Sequence, residues 1–195
     1  MTKVPNGGQS LNFGFGSITV DSDMRMVSFM TKRGDHDETL NLDHGKYKEM
    51  IGNFSGGAQI KSVYEDGHIQ SISLGGIDGH KSVTLSNDGT ATVDGAPANS
   101  FDFQFTKDRR EHLEFDADHK LTLLRFMGPE DDDTLSFRAG LPTREEKMLD
   151  SGKVGGLKFH EDGSISRLTT ALDVGAAYLD FADGKVLGLT LDLRR

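Results

Sequence analysis

Four ten-residue stretches of this chain follow one pattern: VDSDMRMVSF at 20–29, VYEDGHIQSI at 63–72, FDADHKLTLL at 115–124 and FHEDGSISRL at 159–168. Each opens on an apolar residue (Val20, Val63, Phe115, Phe159) and has Asp fourth (Asp23, Asp66, Asp118, Asp162). Apolar residues return at the seventh position (Met26, Ile69, Leu121, Ile165) and at the tenth (Phe29, Ile72, Leu124, Leu168). A second turn signal closes each unit at Gly45, Gly89, Gly140 and Gly184, so the Asp-to-Gly spacing is 22, 23, 22 and 22 residues. Constant spacing in this range marks a chain built from repeated supersecondary units.

The chemistry of the unit is that of two successive β-hairpins. Asp-Gly pairs at 66, 88, 162 and 183 supply the positive φ that a tight hairpin turn demands. Segments such as SVTLS, TLSF and YLDF alternate apolar with polar residues, as a strand with one buried face does. The first and seventh residues of the ten-residue pattern are expected to face the core across the turn. Two stretches depart from strand character: KYKEMIGNFSG after Gly45 and LPTREEKMLDSGKVG after Gly140, where Thr143 with Glu146 reads as a capping box and Gly152 as a stop. Both predict a short helix.

A longer periodicity overlies the first. FMTKRGDHDETLNL at 29–42 mirrors FMGPEDDDTLSF at 126–137, and LNFGF at 11–15 mirrors FDFQF at 101–105, which implies a duplication of about 95 residues. The organisation read from this is an arm over residues 1–10 and two half-repeats, 11–98 and 99–195, packed as one unit. The fold class is all-β, built from antiparallel hairpin repeats. Propeller blades lie between neighbours and need inner strands apolar on both faces, whereas IQSISL, KSVTLS and TATVDG carry Ser, Thr, Lys and Gln on one face. A β-sandwich or rolled sheet therefore fits better than the alternative, a four-bladed propeller.

Composition limits the chemistry. With no Cys among 195 residues, thiolate catalysis, disulfides and zinc-thiolate sites are excluded. The formal charge of −9, with no offsetting basic cluster, argues against nucleic acid and anionic membrane surfaces as partners. No run of about 18 apolar residues is present, which argues against membrane insertion by a helix, and the N-terminus lacks the apolar run of a signal peptide. The expectation is a soluble protein, intracellular or part of an assembled particle.

Catalytic motifs are missing: there is no GxSxG, HExxH or P-loop, and GFGSIT at 14–19 has Thr where GxGxxG needs its third glycine. The most suggestive polar stretches are two acidic clusters at equivalent places in the halves, containing Asp35, Asp37 and Glu38 in one and Asp131, Asp132 and Asp133 in the other. They are read as hairpin tips and as candidate binding residues, because clustered carboxylates suit Ca²⁺ or another hard cation. Neither has the ligand register of a calcium loop, so no cofactor is assigned. The seven histidines (36, 44, 68, 80, 112, 119, 160) do not follow the repeat and read as surface residues. Phe13, Phe15, Phe101, Phe103 and Phe105 read as core, and Met24, Met26, Met30 and Met127 as core or hairpin packing.

Three function classes follow. The first is a non-enzymatic structural or assembly protein making protein–protein contacts or self-associating, favoured by regular sheet construction and by an N-terminal arm next to a strand that could pair with a neighbour. The second is a ligand-binding module, lectin-like in construction. The third is an enzyme with a site between the halves, which requires paired carboxylates or a His–carboxylate pair there.

Overall fold

A computed structural model describes residues 2–3, 9–13, 16–33, 36–129, 131–149, 154–172 and 175–193. The chain forms two antiparallel sheets in which every strand pairs with its sequence neighbours. The first contains β1 (Thr2–Lys3), β2 (Gln9–Phe13), β3 (Gly16–Val20), β4 (Met26–Arg33), β5 (His36–Asp43), β6 (Lys46–Phe54), β7 (Gln59–Glu65), β8 (His68–Gly76), β9 (Gly79–Leu85) and β10 (Ala91–Val93). The second contains β11 (Ser100–Thr106), β12 (Arg109–Phe115), β13 (Leu121–Met127), β14 (Asp131–Arg138), β15 (Leu141–Leu149), β16 (Val154–Phe159), β17 (Ile165–Leu172), β18 (Gly175–Ala182) and β19 (Lys185–Leu193). Their inner faces share one core, where Phe54 of β6 stacks on Phe126 of β13 at 5.2 Å and packs on Phe105 of β11 at 4.9 Å between ring centroids. The fold is all-β, with two facing sheets rather than four blades. The first sheet is built from residues 2–93 and the second from residues 100–193.

At one end the hairpins turn in two ways. Tight turns place two residues at positive φ: His44–Gly45 (49°, 79°), Asp66–Gly67 (49°, 82°), Ala139–Gly140 (49°, 77°) and Asp183–Gly184 (49°, 73°). This is the type I′ geometry that matches the strand twist. Longer turns are held by an Asp side chain, with Asp21 Oδ1 accepting from the N–H of Asp23 and Arg25, each at 2.9 Å, and Asp116 Oδ1 doing the same for Asp118 and Lys120, each at 2.9 Å.

The register explains the repeated apolar spacing. A β-bulge follows the first residue in β4, β13 and β17 and the second in β8, so inward positions run Met26, Phe29; Ile69, Ile72; Leu121, Leu124; and Ile165, Leu168. A three-residue step inside a strand is what one inserted residue produces. The opening residue pairs with the seventh in three copies, Val20↔Met26, Phe115↔Leu121 and Phe159↔Ile165. The second copy departs: its turn is tighter, Tyr64 pairs with Ile69, and Val63 points outward at 36% exposure.

The structure overturns the helix expectation. Residues 46–54 and 141–149 are strands β6 and β15, and the only helical turn among the described residues is a 3-10 turn at Ser55–Gly57. In β6 the bulge between the Leu42↔Tyr47 and Asn41↔Glu49 pairs shifts the phase, so Tyr47, Met50 and Phe54 are buried together. Those offsets imitate one face of a helix. In β15 the inward residues after Pro142 are Glu145 and Lys147, which a hydrophobic pattern does not register. Phe103 and Phe105 are buried and Phe101 packs on the core, while Phe15 lies outside the described residues and Phe13 contributes its backbone to β2. Met26 is buried, but Met24 and Met30 are exposed.

The sheets are joined at this turn end by backbone hydrogen bonds. The seventh residue of each repeat donates its N–H to the closing glycine of another: Met26 to Gly184 at 2.9 Å, Ile69 to Gly140 at 2.9 Å, Leu121 to Gly89 at 3.0 Å and Ile165 to Gly45 at 2.8 Å. The first and fourth units thus exchange bonds reciprocally, as do the second and third. Such contact needs bare backbone: a Cβ on Gly184 would lie 2.5 Å from the Gly45 nitrogen, and one on Gly89 2.6 Å from the Gly140 nitrogen.

Gly95 has positive φ but open space around it, so Gly95→Ala is expected to lose about 1 kcal/mol from backbone strain alone. Gly184→Ala adds a backbone collision and is expected to lose more than about 3 kcal/mol in denaturant unfolding. Equal losses at the two sites would show that the turns do not support one another.

Candidate functional site

Several strands carry charged residues in the same phase as their core residues. On β5, His36 and Glu38 share the inward face with Leu40 and Leu42; on β12, Arg109 and Glu111 share it with Leu113 and Phe115. On β15 Glu145 and Lys147 point inward, and on β14 Asp133 lies in phase with Leu135 and Phe137. Pleat geometry therefore obliges these groups to meet between the sheets.

Lys147 is the centre of this cluster. Its Nζ lies 2.6 Å from Glu38 Oε2, 2.9 Å from Asp133 Oδ2 and 3.4 Å from Glu145 Oε1. Burial alone would lower the ammonium pKa, but Asp133, Glu38 and Glu145 together hold it well above its ordinary value. The Tyr47 hydroxyl donates a short hydrogen bond to Glu145 Oε2 from the opposite sheet. Burial first, and then the Glu145 charge, raises the Tyr47 pKa, so it stays a donor. Burial also raises the Glu145 carboxyl, with Lys147 opposing the shift.

Glu111 differs from its neighbours. It is 0% exposed, and neither carboxylate oxygen has a hydrogen-bond partner. Burial, followed by the charges of Asp133 and Glu38, raises its pKa well above the carboxylate range. It borders a cavity of about 40 Å³ whose wall includes Glu38, Phe54, Phe126, Asp133 and Lys147. A neighbouring cavity of about 50 Å³, walled by Phe29, Leu157 and Leu168, shares Glu145 and Lys147 with the first. Next to these, Arg109 lies over the rings of Phe126 and Phe54, 5.5 and 6.0 Å from their centroids.

The acidic residues singled out in the sequence are thus divided. Glu38 and Asp133, one from each half, converge on Lys147. Asp37 is exposed on β5, and Asp132 is ion-paired with Arg125, whose Nε lies 2.9 Å from Oδ1. Asp131 contributes its backbone to β14 opposite Leu149, and Asp35 lies outside the described residues. The expected hairpin tips are corrected: residues 36–38 and 131–133 lie within strands β5 and β14, where alternation sends one carboxylate inward. His36 is also corrected, being buried against Phe54 and Phe126 rather than on the surface. Among the described residues no group of three or more His, Asp or Glu side chains is arranged to hold a metal ion. Tyr47, Glu111, Glu145 and Lys147 escaped the sequence reading, although the alternation RREHLEF places Glu111 in register with Leu113 and Phe115.

A second surface lies at the edge of the second sheet. β19 pairs with β18 on one side, and its opening residues are held on the other by the first sheet, where Val186 donates to Met24 at 3.0 Å. Beyond Val186 no strand pairs with that edge among the described residues. Leu187, Leu189, Leu191 and Leu193 are exposed there at 67, 62, 55 and 55%. Leu189 and Leu191 pair with Leu179 and Ala177, both buried, so they extend the inner apolar face past the point where the facing sheet covers it.

No protein-family model matches the chain, and comparison with curated proteins finds no match. No helix among the described residues is long and apolar enough to cross a membrane.

Removing the central cation leaves carboxylates buried without compensation, so Lys147→Met is expected to destabilise the protein by about 3–5 kcal/mol at neutral pH. The loss should shrink as acid protonates Glu38 and Asp133, and a deficit independent of pH in denaturant titrations would contradict the ion cluster. A second expectation concerns Glu111. Its raised folded pKa gives stability that is fully present below the unfolded value of about 4.3 and is lost as pH rises toward the folded value. Asp132 and Asp162, held low by hydrogen bonds from Arg125 and Ser164, have the opposite sign and act only as pH falls through their depressed values. Thermal stability should therefore decline from about pH 5 toward neutral, and Glu111→Gln should flatten that decline. A parallel profile for the variant would remove Glu111 from the account.

Proposed function

We propose that the protein is a non-enzymatic assembly component that self-associates by pairing β19 with β19 of a second copy. The observation that supports this is the open edge after Val186, where unpaired backbone and four exposed leucines coincide. Natural sheets guard free edges with charges, proline or bulges. Between Leu187 and Leu193 this edge has no proline and a single charge, Asp192, and its bulge lies at the held end, at Leu187.

A second copy fits this edge because the strand is self-complementary. Antiparallel pairing about Leu189 sets Leu187 of one copy opposite Leu191 of the other. On the outer face it brings Lys185 within one position of Asp192 of the partner subunit, opposite charges at the two ends of one strand. The ladder would satisfy backbone groups that otherwise depend on water, and the leucines would cover one another. A net charge of −9 disfavours indiscriminate association, which leaves this weakly charged strand as the favoured contact.

Light scattering coupled to gel filtration at micromolar concentration should give a dimer. Leu189→Lys combined with Leu191→Lys should give a folded monomer, because both residues are exposed in the single chain. A monomeric parent, or a dimer that survives the double substitution, would overturn the proposal.

A second reading has its own support. Glu111, unpartnered beside a cavity between the halves, favours a ligand-binding module with an interior site.

A further inference from the structure

The interior cavity has a composition that selects for charge. Four carboxylates border it, Glu38, Glu111, Asp133 and Glu145, against a single bordering ammonium, that of Lys147. Lys147 reaches three of the four within 3.4 Å, and Glu111 is the one it does not reach. Two free acceptor oxygens thus face the cavity with no donor. The same cavity is walled by the aromatic rings of Phe54 and Phe126, over which Arg109 already lies as a cation. A carboxylate with an aromatic wall is the environment in which a desolvated organic cation is held.

Size narrows the class. A volume of about 40 Å³ compares with the roughly 10–15 Å³ that admits one water by the same kind of measure, so two or three non-hydrogen atoms fit. Chemistry narrows it further. A divalent metal ion needs several convergent ligands, and no such group is formed among the described residues. An alkylammonium needs only acceptors for its N–H groups and an apolar surface for its carbon.

Resting on the reading of the interior as a binding site, we propose that this cavity binds a small primary ammonium ion of methylammonium size, with its N–H groups on the Glu111 carboxylate and its methyl group against Phe54 and Phe126. Binding exchanges one cation for one proton: the Glu111 carboxylic acid gives up its proton to solvent, and the ammonium pairs with the carboxylate that forms. The charges facing Glu111 set the pH dependence. Glu38 and His36 from β5, Asp133 from β14, Glu145 and Lys147 from β15 and Arg109 from its own strand all lie around it. Burial first, and then the charges of Asp133 and Glu38, favour the protonated acid, so affinity rises with pH.

Thermal unfolding of the intact chain in methylammonium chloride, against sodium chloride at equal ionic strength and against methanol as a neutral isostere, tests this. The expected result is a rise in melting temperature with methylammonium alone, larger at pH 8 than at pH 5, and absent in Glu111→Gln, which keeps the side-chain shape and remains folded. Calorimetry in two buffers of different ionisation enthalpy should register release of about one proton per ion bound at neutral pH. A shift equal to that in sodium chloride, or one that persists in Glu111→Gln, overturns the proposal. A shift with methanol but not with methylammonium would overturn the cation while leaving the interior as a binding site. No specific shift with any of the three solutes would remove both.

Discussion

The backbone hydrogen bonds between hairpin turns hold this structure to one arrangement. Each sheet by itself is a meander whose strands see only their sequence neighbours, and nothing in a meander dictates how it faces another sheet. Four N–H groups, from Met26, Ile69, Leu121 and Ile165, settle that question by reaching glycine carbonyls in the opposite sheet. Glycine is required at Gly45, Gly89 and Gly184 because main chain meets main chain there with no room for a Cβ. The constant spacing along the sequence is therefore the trace of a tertiary contact, since each donor must be one hairpin pair away from its own unit's acceptor.

From that closed end the interior changes character along the strands. The first inward layer is apolar, with Met26, Leu42, Ile69, Leu121 and Ile165. Farther along, the layer holding Glu38, Glu111, Asp133, Glu145 and Lys147 is ionic. Buried ions are poor sources of stability, because desolvation offsets most of their attraction. They do distinguish one sheet-to-sheet alignment from another. Tyr47 and Glu38 come from the first sheet, and Glu145, Asp133 and Lys147 from the second, so a slip of one residue in either sheet would strand charges opposite leucines. Turn contacts and ion cluster thus specify the same registration from two levels of the sandwich.

Much of the fold was legible because hairpin chemistry is local. Asp-Gly pairs and alternation located most strands, the four turn glycines and the two-sheet organisation. The failures had a common cause in the β-bulge, which replaces a two-residue period by a three-residue step. It made Tyr47, Met50 and Phe54 resemble a helix face, and with Glu145 and Lys147 inside, β15 lacked an apolar stripe altogether. The site was half legible. Glu38 and Asp133 were found as members of acidic runs, but their meeting depends on Lys147, which lies 109 residues from Glu38 and 14 from Asp133. Glu111 was hidden because a lone Glu in RREHLEF looks like surface until the phase of Leu113 and Phe115 is followed backward.

The two surfaces with chemical potential are independent for a geometric reason. β19 is the last strand of its sheet, and its leucines are exposed because the facing sheet does not extend over them. The ionic cluster belongs to β5, β12, β14 and β15, all of which have a paired strand on both sides. A strand added at β19 would lengthen the second sheet by one rung without touching those central strands. Protonation at Glu111, conversely, alters charge in the middle of the sandwich, where rigid ladders on both sides resist displacement. An effect carried from one to the other would have to pass through β16, β17 and β18, whose inward residues Leu157, Ile165, Leu168 and Leu179 are apolar and buried. Association and interior chemistry are therefore expected to respond to different substitutions, since the two surfaces share no residue and coupling between them would need an element with a second arrangement to adopt.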